Sequence, residues 1–181
     1  AVEAIRALRT NIYFSMLDAR NNVLMITGAA PEAGKSFISA NLATVMAQSG
    51  KRVLLIDTDM RKGYLDQLFK LTPEYGLADI LSGHVSPAKA VCETRIENLH
   101  LISNGGYPKN PSELLMDSRF TELLANAQKR YDYVIIDTPP VLDNWQVRFC
   151  WSAATATPPP ESLKSVPTVC VRTRSISKAS S

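Results

Sequence analysis

Gly34-Lys35-Ser36 stands between an apolar run, "NVLMIT" (22–27), and a segment of helical periodicity, which is the placement a phosphate-binding loop needs. Strict spacing for such a loop asks for glycine at position 29. This chain has Ala29, with Gly28 one residue early, so the fit is to the relaxed form that accepts alanine, Ala29 to Ser36. In that form backbone N–H groups wrap phosphate oxygens, the Lys35 ammonium reaches the β- and γ-phosphates, and the Ser36 hydroxyl ligates Mg²⁺. Three carboxylates supply the rest of the chemistry: Asp57 and Asp59 in "VLLIDTDMR" and Asp137 in "YVIIDTPP" each end an apolar run. Alone, an aspartate at a strand end is a cap or a turn former, and a Gly-Lys-Ser can arise at a turn by chance. Together they predict a magnesium–nucleotide site in which one hydroxyl and one or two carboxylates would suffice for the metal and another carboxylate could take a proton from an attacking hydroxyl.

Such groups meet only if the chain brings strand ends together. "NVLMIT" and "RVLLID" (52–57) are short apolar runs rich in branched residues, and both read as buried parallel strands. Between them, residues 35–49 carry Phe37, Ile38, Leu42, Val45 and Met46 at helical spacing and stop before Gly50, completing a βαβ unit. "NLHLIS" (98–103) and "YVIID" (133–137) read as two further strands. The helical stretch between them, "NPSELLMDSRFTELLANAQKR", offers Asn110 as a cap, Pro111 at the first helical position and Glu113 three residues after the cap. Near the start, Ile5, Leu8, Ile12 and Met16 share one helical face, with Arg6 and Arg9 largely off it. Alternating strands and helices predict an α/β chain with a parallel sheet covered on both faces, and strand C-termini gather at the ligand edge of such a sheet.

Composition narrows the classes. At 181 residues and 45% apolar content, one well-buried domain is expected. The net charge of +3 is set by residues 144–181, whose five basic and one acidic side chains give +4 and leave residues 1–143 at −1; no nucleic-acid face is indicated for the body. No apolar run approaches the ~20 residues of a membrane span, and no signal-peptide layout opens the chain, so it reads as soluble. Cys92, Cys150 and Cys170 are widely spaced without a histidine cluster, which fits neither a disulfide framework nor a zinc site and suits a reducing cytoplasm.

"GAAPEAGKS", "VLLIDTDMRKGY", "NPSELL" and "YDYVIIDTPP" together resemble the cytoplasmic kinase domain of bacterial protein-tyrosine kinases of capsule and exopolysaccharide biosynthesis, over roughly residues 1–143. The resemblance implies a three-layer α/β/α P-loop NTPase fold with a mainly parallel sheet, incomplete at the C-terminus, that moves the γ-phosphoryl of ATP onto tyrosine with Mg²⁺. It places Lys35 and Ser36 in a Walker A motif, Asp57 and Asp59 in Walker A′ and Asp137 in Walker B. Lys35, Asp57 and Asp137 would then be catalytic, with Asp57 the general base. Ala30, Pro31, Glu32, Ala33, Gly34, Lys35, Ser36 and Phe37 would line the nucleotide, and Ser36, Asp59 and Asp137 would hold the metal and its waters. Tyr64 matches an internal phosphorylatable tyrosine, and a plain surface or core tyrosine is the alternative. Glu3, Arg6 and Arg9 match a motif associated with ring-like homo-oligomers, the alternative being an exposed helix face with intrahelical pairing. The implied partners are protein tyrosine substrates and a membrane activator, a polysaccharide co-polymerase segment in the same or a separate chain. The implied location is the cytoplasm, at the inner face of the bacterial plasma membrane, through a membrane-spanning region outside this chain.

Two rivals remain at this point. Related partitioning and septum-positioning ATPases carry a further lysine five residues before the loop lysine, where this chain has Ala30. A nucleotide-binding regulatory module without catalysis is the other. After Asp143 the pattern stops: residues 144–181 hold both tryptophans, a Pro-Pro-Pro run and no tyrosine, where the family ends in a tyrosine-rich tail. The change reads as a shifted reading frame or a fused end, or else as a diverged or disordered extension. "SVPTVCVR" within it carries a weak strand signal.

Overall fold

The computed structural model describes residues 2–16, 21–28, 34–139, 150 and 169–170. Six strands form one sheet: β1 (Val23–Ile26), β2 (Val53–Asp57), β3 (Cys92–Glu93), β4 (Leu99–Ile102), β5 (Tyr133–Asp137) and β6 (Val169–Cys170). Their spatial order is β3-β4-β2-β5-β1-β6. The four inner strands are parallel and the two edge strands antiparallel, so the expected mainly parallel sheet is observed. The weak strand signal near residue 169 corresponds to β6, paired with Met25 and Ile26. The rest of the tail lies outside the described residues.

The helices are α1 (Val2–Met16), α2 (Lys35–Gln48), α3 (Leu65–Leu68), α4 (Leu77–Leu81), α5 (Pro87–Ala90), α6 (Pro111–Met116) and α7 (Ser118–Arg130). Strand alternation sends each inner strand's side chains into two separate cores. Leu24, Ile26, Val53, Leu55, Leu99, Leu101 and Ile135 pack with Ile12 of α1 and Leu42, Ala43 and Met46 of α2. Val23, Met25, Leu54, Ile56, Val134 and Ile136 pack on the other face with Leu77, Leu81, Phe120 and Leu124 of α4 and α7. A sheet buried on both faces explains why its strands read as unbroken apolar runs rather than alternating ones.

The buried stripe of α2 runs through Lys35, Ser39, Leu42, Ala43 and Met46; of the apolar residues at helical spacing, Phe37 is 53% exposed and Val45 half-buried. Two expectations need correction. The stretch 110–130 is two helices, not one. Asp117 adopts extended dihedrals between them, and its carboxylate accepts from the Arg119 N–H at 2.9 Å, capping α7 while α6 ends. Finally, Asn110 makes no side-chain cap; its amide donates instead to Glu113 Oε2 at 3.0 Å. Pro111 does open α6, as expected.

Candidate functional site

β2, β5 and β1 end side by side. Register pairs Asp57 with Asp137 and Asp137 with Ile26, so the two aspartates leave adjacent strands at one level. Paired residues in parallel strands project to the same face, here the face under α2, whose first turn carries Lys35 and Ser36. Alternation alone therefore aims both carboxylates at the start of the helix after the phosphate loop. Gly34 precedes that helix with φ 73°, a left-handed conformation glycine adopts without a Cβ penalty, and its carbonyl accepts from the Ile38 N–H at 2.9 Å.

The site is buried and acidic. Asp57 and Asp137 are each 1% exposed and Lys35 7%. Burial pushes the Asp137 carboxyl up to about 6, against hydrogen bonds from Ser36 and Ser39 and the charge of Lys35, which favour its ionised form. Burial, then the charge of Asp137, holds Asp57 well above the usual carboxylate range, although it accepts backbone N–H bonds from Leu65 and Asp59. Two buried acids whose charges oppose each other, beside one buried lysine, make a site that an added cation would suit.

The segment after β2 closes over Asp57. Its Oδ1 accepts from the Asp59 N–H at 3.0 Å and its Oδ2 from the Leu65 N–H at 3.3 Å. Gly63 passes directly above: a Cβ there would lie 2.6 and 2.7 Å from the two Asp57 oxygens and 2.6 Å from the Asp59 carbonyl. Gly63→Ala is expected to cost about 1–3 kcal/mol of stability through this overpacking, read from the midpoint of urea unfolding. An unchanged midpoint would show that the segment yields freely. Asp59 itself turns its Oδ1 to the N–H groups of Arg61 and Lys62, at 3.1 and 2.9 Å, leaving its second oxygen outside this turn. Tyr64, at the start of α3, is 39% exposed.

Of the residues expected at the site, the structure brings Lys35, Ser36, Asp57 and Asp137 close to one another. Ala30, Pro31, Glu32 and Ala33 lie outside the described residues. It missed Ser39, whose hydroxyl stands 2.6 Å from Asp137 Oδ1, and two threonines that tie the strand ends together. Thr58 donates to the Asp137 carbonyl at 2.7 Å, and Thr138 to the Ile26 carbonyl at 3.0 Å. Ser39 was detectable as a polar residue four after Lys35, on a helix otherwise apolar along that line. Glu3, Arg6 and Arg9 lie far along the chain on α1, where Glu3 and Arg6 form an exposed ion pair at 3.8 Å.

Hydroxyl and carboxylate oxygens are hard donors and suit magnesium, which keeps waters and shares its shell with substrate phosphates. Among the described residues no cluster of three or more His, Cys, Asp or Glu could hold a metal alone. The donor set therefore fits an ion that arrives with phosphate oxygens of its own.

Residues 23–156 match the AAA domain family. The tyrosine-protein kinase wzc of Salmonella typhimurium is 56% identical over 142 residues, which are 78% of this chain and 20% of that protein. The kinase domain of Escherichia coli tyrosine kinase ETK superposes with a TM-score of 0.82 at 45% identity, over 84% of this chain and 60% of that one. The BceF tyrosine kinase domain gives 0.78 at 48% identity, over 84% and 61%. This chain thus spans about a fifth of the length of the curated relatives it matches.

Proposed function

Because the chain belongs to the AAA domain family and carries the fold of bacterial tyrosine-kinase domains, we propose that it is an ATP-dependent protein-tyrosine kinase domain serving capsule or exopolysaccharide biosynthesis. The observation that carries this reading is the register pairing of Asp57 with Asp137 beneath Lys35 and Ser36: two acids, a cation and a hydroxyl at one sheet edge.

Each group has a separate task. Lys35 supports the β- and γ-phosphates of ATP and offsets the charge that builds on the transferring phosphoryl. Ser36 and Asp137, with the free oxygen of Asp59, would hold magnesium, which supplies charge neutralisation on the phosphates when bound. Asp57 accepts the proton of the incoming tyrosine hydroxyl. Burial raises its proton affinity, which makes it a stronger base than an exposed aspartate. The catalytic contribution is positioning and electrostatics rather than covalent chemistry.

Further proposals follow from the same reading. Tyr64 is exposed enough to accept phosphate, and added charge there would sit five residues from Asp59. Glu3 and Arg6 are 94% and 63% exposed, an ion pair worth little within the chain, which leaves them, with Arg9, free in energy terms to serve a ring-like assembly. The proposed setting is the cytoplasmic side of the bacterial inner membrane, next to a membrane partner. Among the described residues no helix is long and apolar enough to cross a membrane.

Incubation with γ-labelled ATP, Mg²⁺ and a tyrosine-rich polypeptide should label tyrosine. Release of inorganic phosphate alone would overturn the kinase reading in favour of an ATPase.

A further inference from the structure

We infer that Ser39 is a positioning residue for the magnesium site, acting by fixing the Asp137 carboxylate. The inference rests on the kinase reading and extends it to a residue outside the loop motif. Ser39 lies one turn beyond Lys35 on the buried line of α2 and is 0% exposed. A serine hydroxyl in that position must find a partner inside the protein.

Two acceptors are in reach: the Lys35 carbonyl at 3.0 Å, the ordinary back-bond of a helical serine, and Asp137 Oδ1 at 2.6 Å. The hydroxyl has one proton. The shorter contact, to a group that carries charge, has the length of a charge-assisted bond and takes that proton. Ser39 thereby grips Oδ1 of Asp137 within the core, and the nearby Ser36 hydroxyl favours the ionised carboxylate. The backbone is fixed as well, since Thr58 donates to the Asp137 carbonyl at 2.7 Å. Without Ser39 the carboxylate keeps its place on the sheet but loses what sets its χ2 rotation. Its remaining lone pairs then no longer point steadily at the position beside Ser36.

Groups behind a metal ligand that set its orientation change metal affinity by about 10–100-fold when removed. Ser39→Ala should therefore raise the Mg²⁺ concentration needed for tight binding of a fluorescent ATP analogue by about tenfold or more. Binding measured in EDTA should change less than twofold, because Lys35 and the loop are untouched. Ser39→Thr, which keeps the hydroxyl, should restore the parent Mg²⁺ requirement. Ser39→Cys fills the same space with a weak donor and should behave like alanine, so it serves as the test if the alanine variant does not fold. Thermal melting of each variant establishes folding independently.

A Mg²⁺ requirement unchanged in folded Ser39→Ala or Ser39→Cys would overturn the inference while leaving the kinase reading in place. A parent chain that takes up no nucleotide at any Mg²⁺ concentration would overturn both.

Discussion

Asp137→Asn is expected to melt about 6–12 °C above the parent chain at neutral pH without nucleotide, and to lose about 10³-fold or more of phosphotransfer. The sign follows from protonation. Burial lifts the Asp137 carboxyl from 3.8 to about 6, so between those values the folded chain binds a proton that the unfolded chain has released. Stability then falls as pH rises through this window and is lowest above about 6. A displacement of about two pH units corresponds to roughly 3 kcal/mol, and a chain of this size gains about 2–4 °C per kcal/mol. Asparagine removes the buried charge yet can still hydrogen-bond Ser36 and Ser39. Melting curves from pH 4 to 8 should show the variant's advantage vanishing toward the acid end. Equal melting at neutral pH would mean that the acid pair carries no such cost. On the proposed function, Mg-ATP should stabilise the parent and do little for the variant.

Lys35→Met is expected to lose about 10³-fold of phosphotransfer as well, but with the opposite effect on stability. Lys35 is buried beside Asp137 and favours its ionised form. Removing the cation leaves two opposed carboxylates without it, and breaking a buried pair in this way costs up to about 3–5 kcal/mol. The double variant Lys35→Met with Asp137→Asn should regain much of the lost stability and none of the activity. Additive melting shifts in that cycle would show that the two groups do not interact, and nucleotide binding by Lys35→Met at parental affinity would remove Lys35 from the site.

Much of this was legible in the chain because the site is built from strand ends. Apolar runs closed by Asp57 and Asp137, and a Gly-Lys-Ser before a helix, fix which sheet edge carries the chemistry as soon as the strands are parallel. What resisted reading depends on contacts between distant segments. Ser39 looks like an ordinary helical serine until β5 places Asp137 against it, 98 residues later. Gly63 looks like a turn glycine until Asp57 is seen beneath it. The break at Asp117 was hidden because Met116 and Phe120 continue an apolar rhythm, and only the extended backbone at 117 separates α6 from α7. Apolar spacing in α2 also did not say which of its apolar residues meet the sheet: Leu42 and Met46 are buried, while Phe37 is exposed.

The sheet order has a consequence for biosynthesis. β5 is the last of the four parallel strands to leave the ribosome, yet it lies between β1 and β2, two of the earliest. Until residue 137 has emerged, β1 and β2 lack the strand that joins them, so the inner sheet cannot reach its final order. Insertion of this central strand closes the hydrophobic layers and delivers Asp137 in the same event. A half-made chain therefore holds the phosphate-loop sequence without Asp137, and on the proposed reading ATP uptake would report completion of the body of the domain.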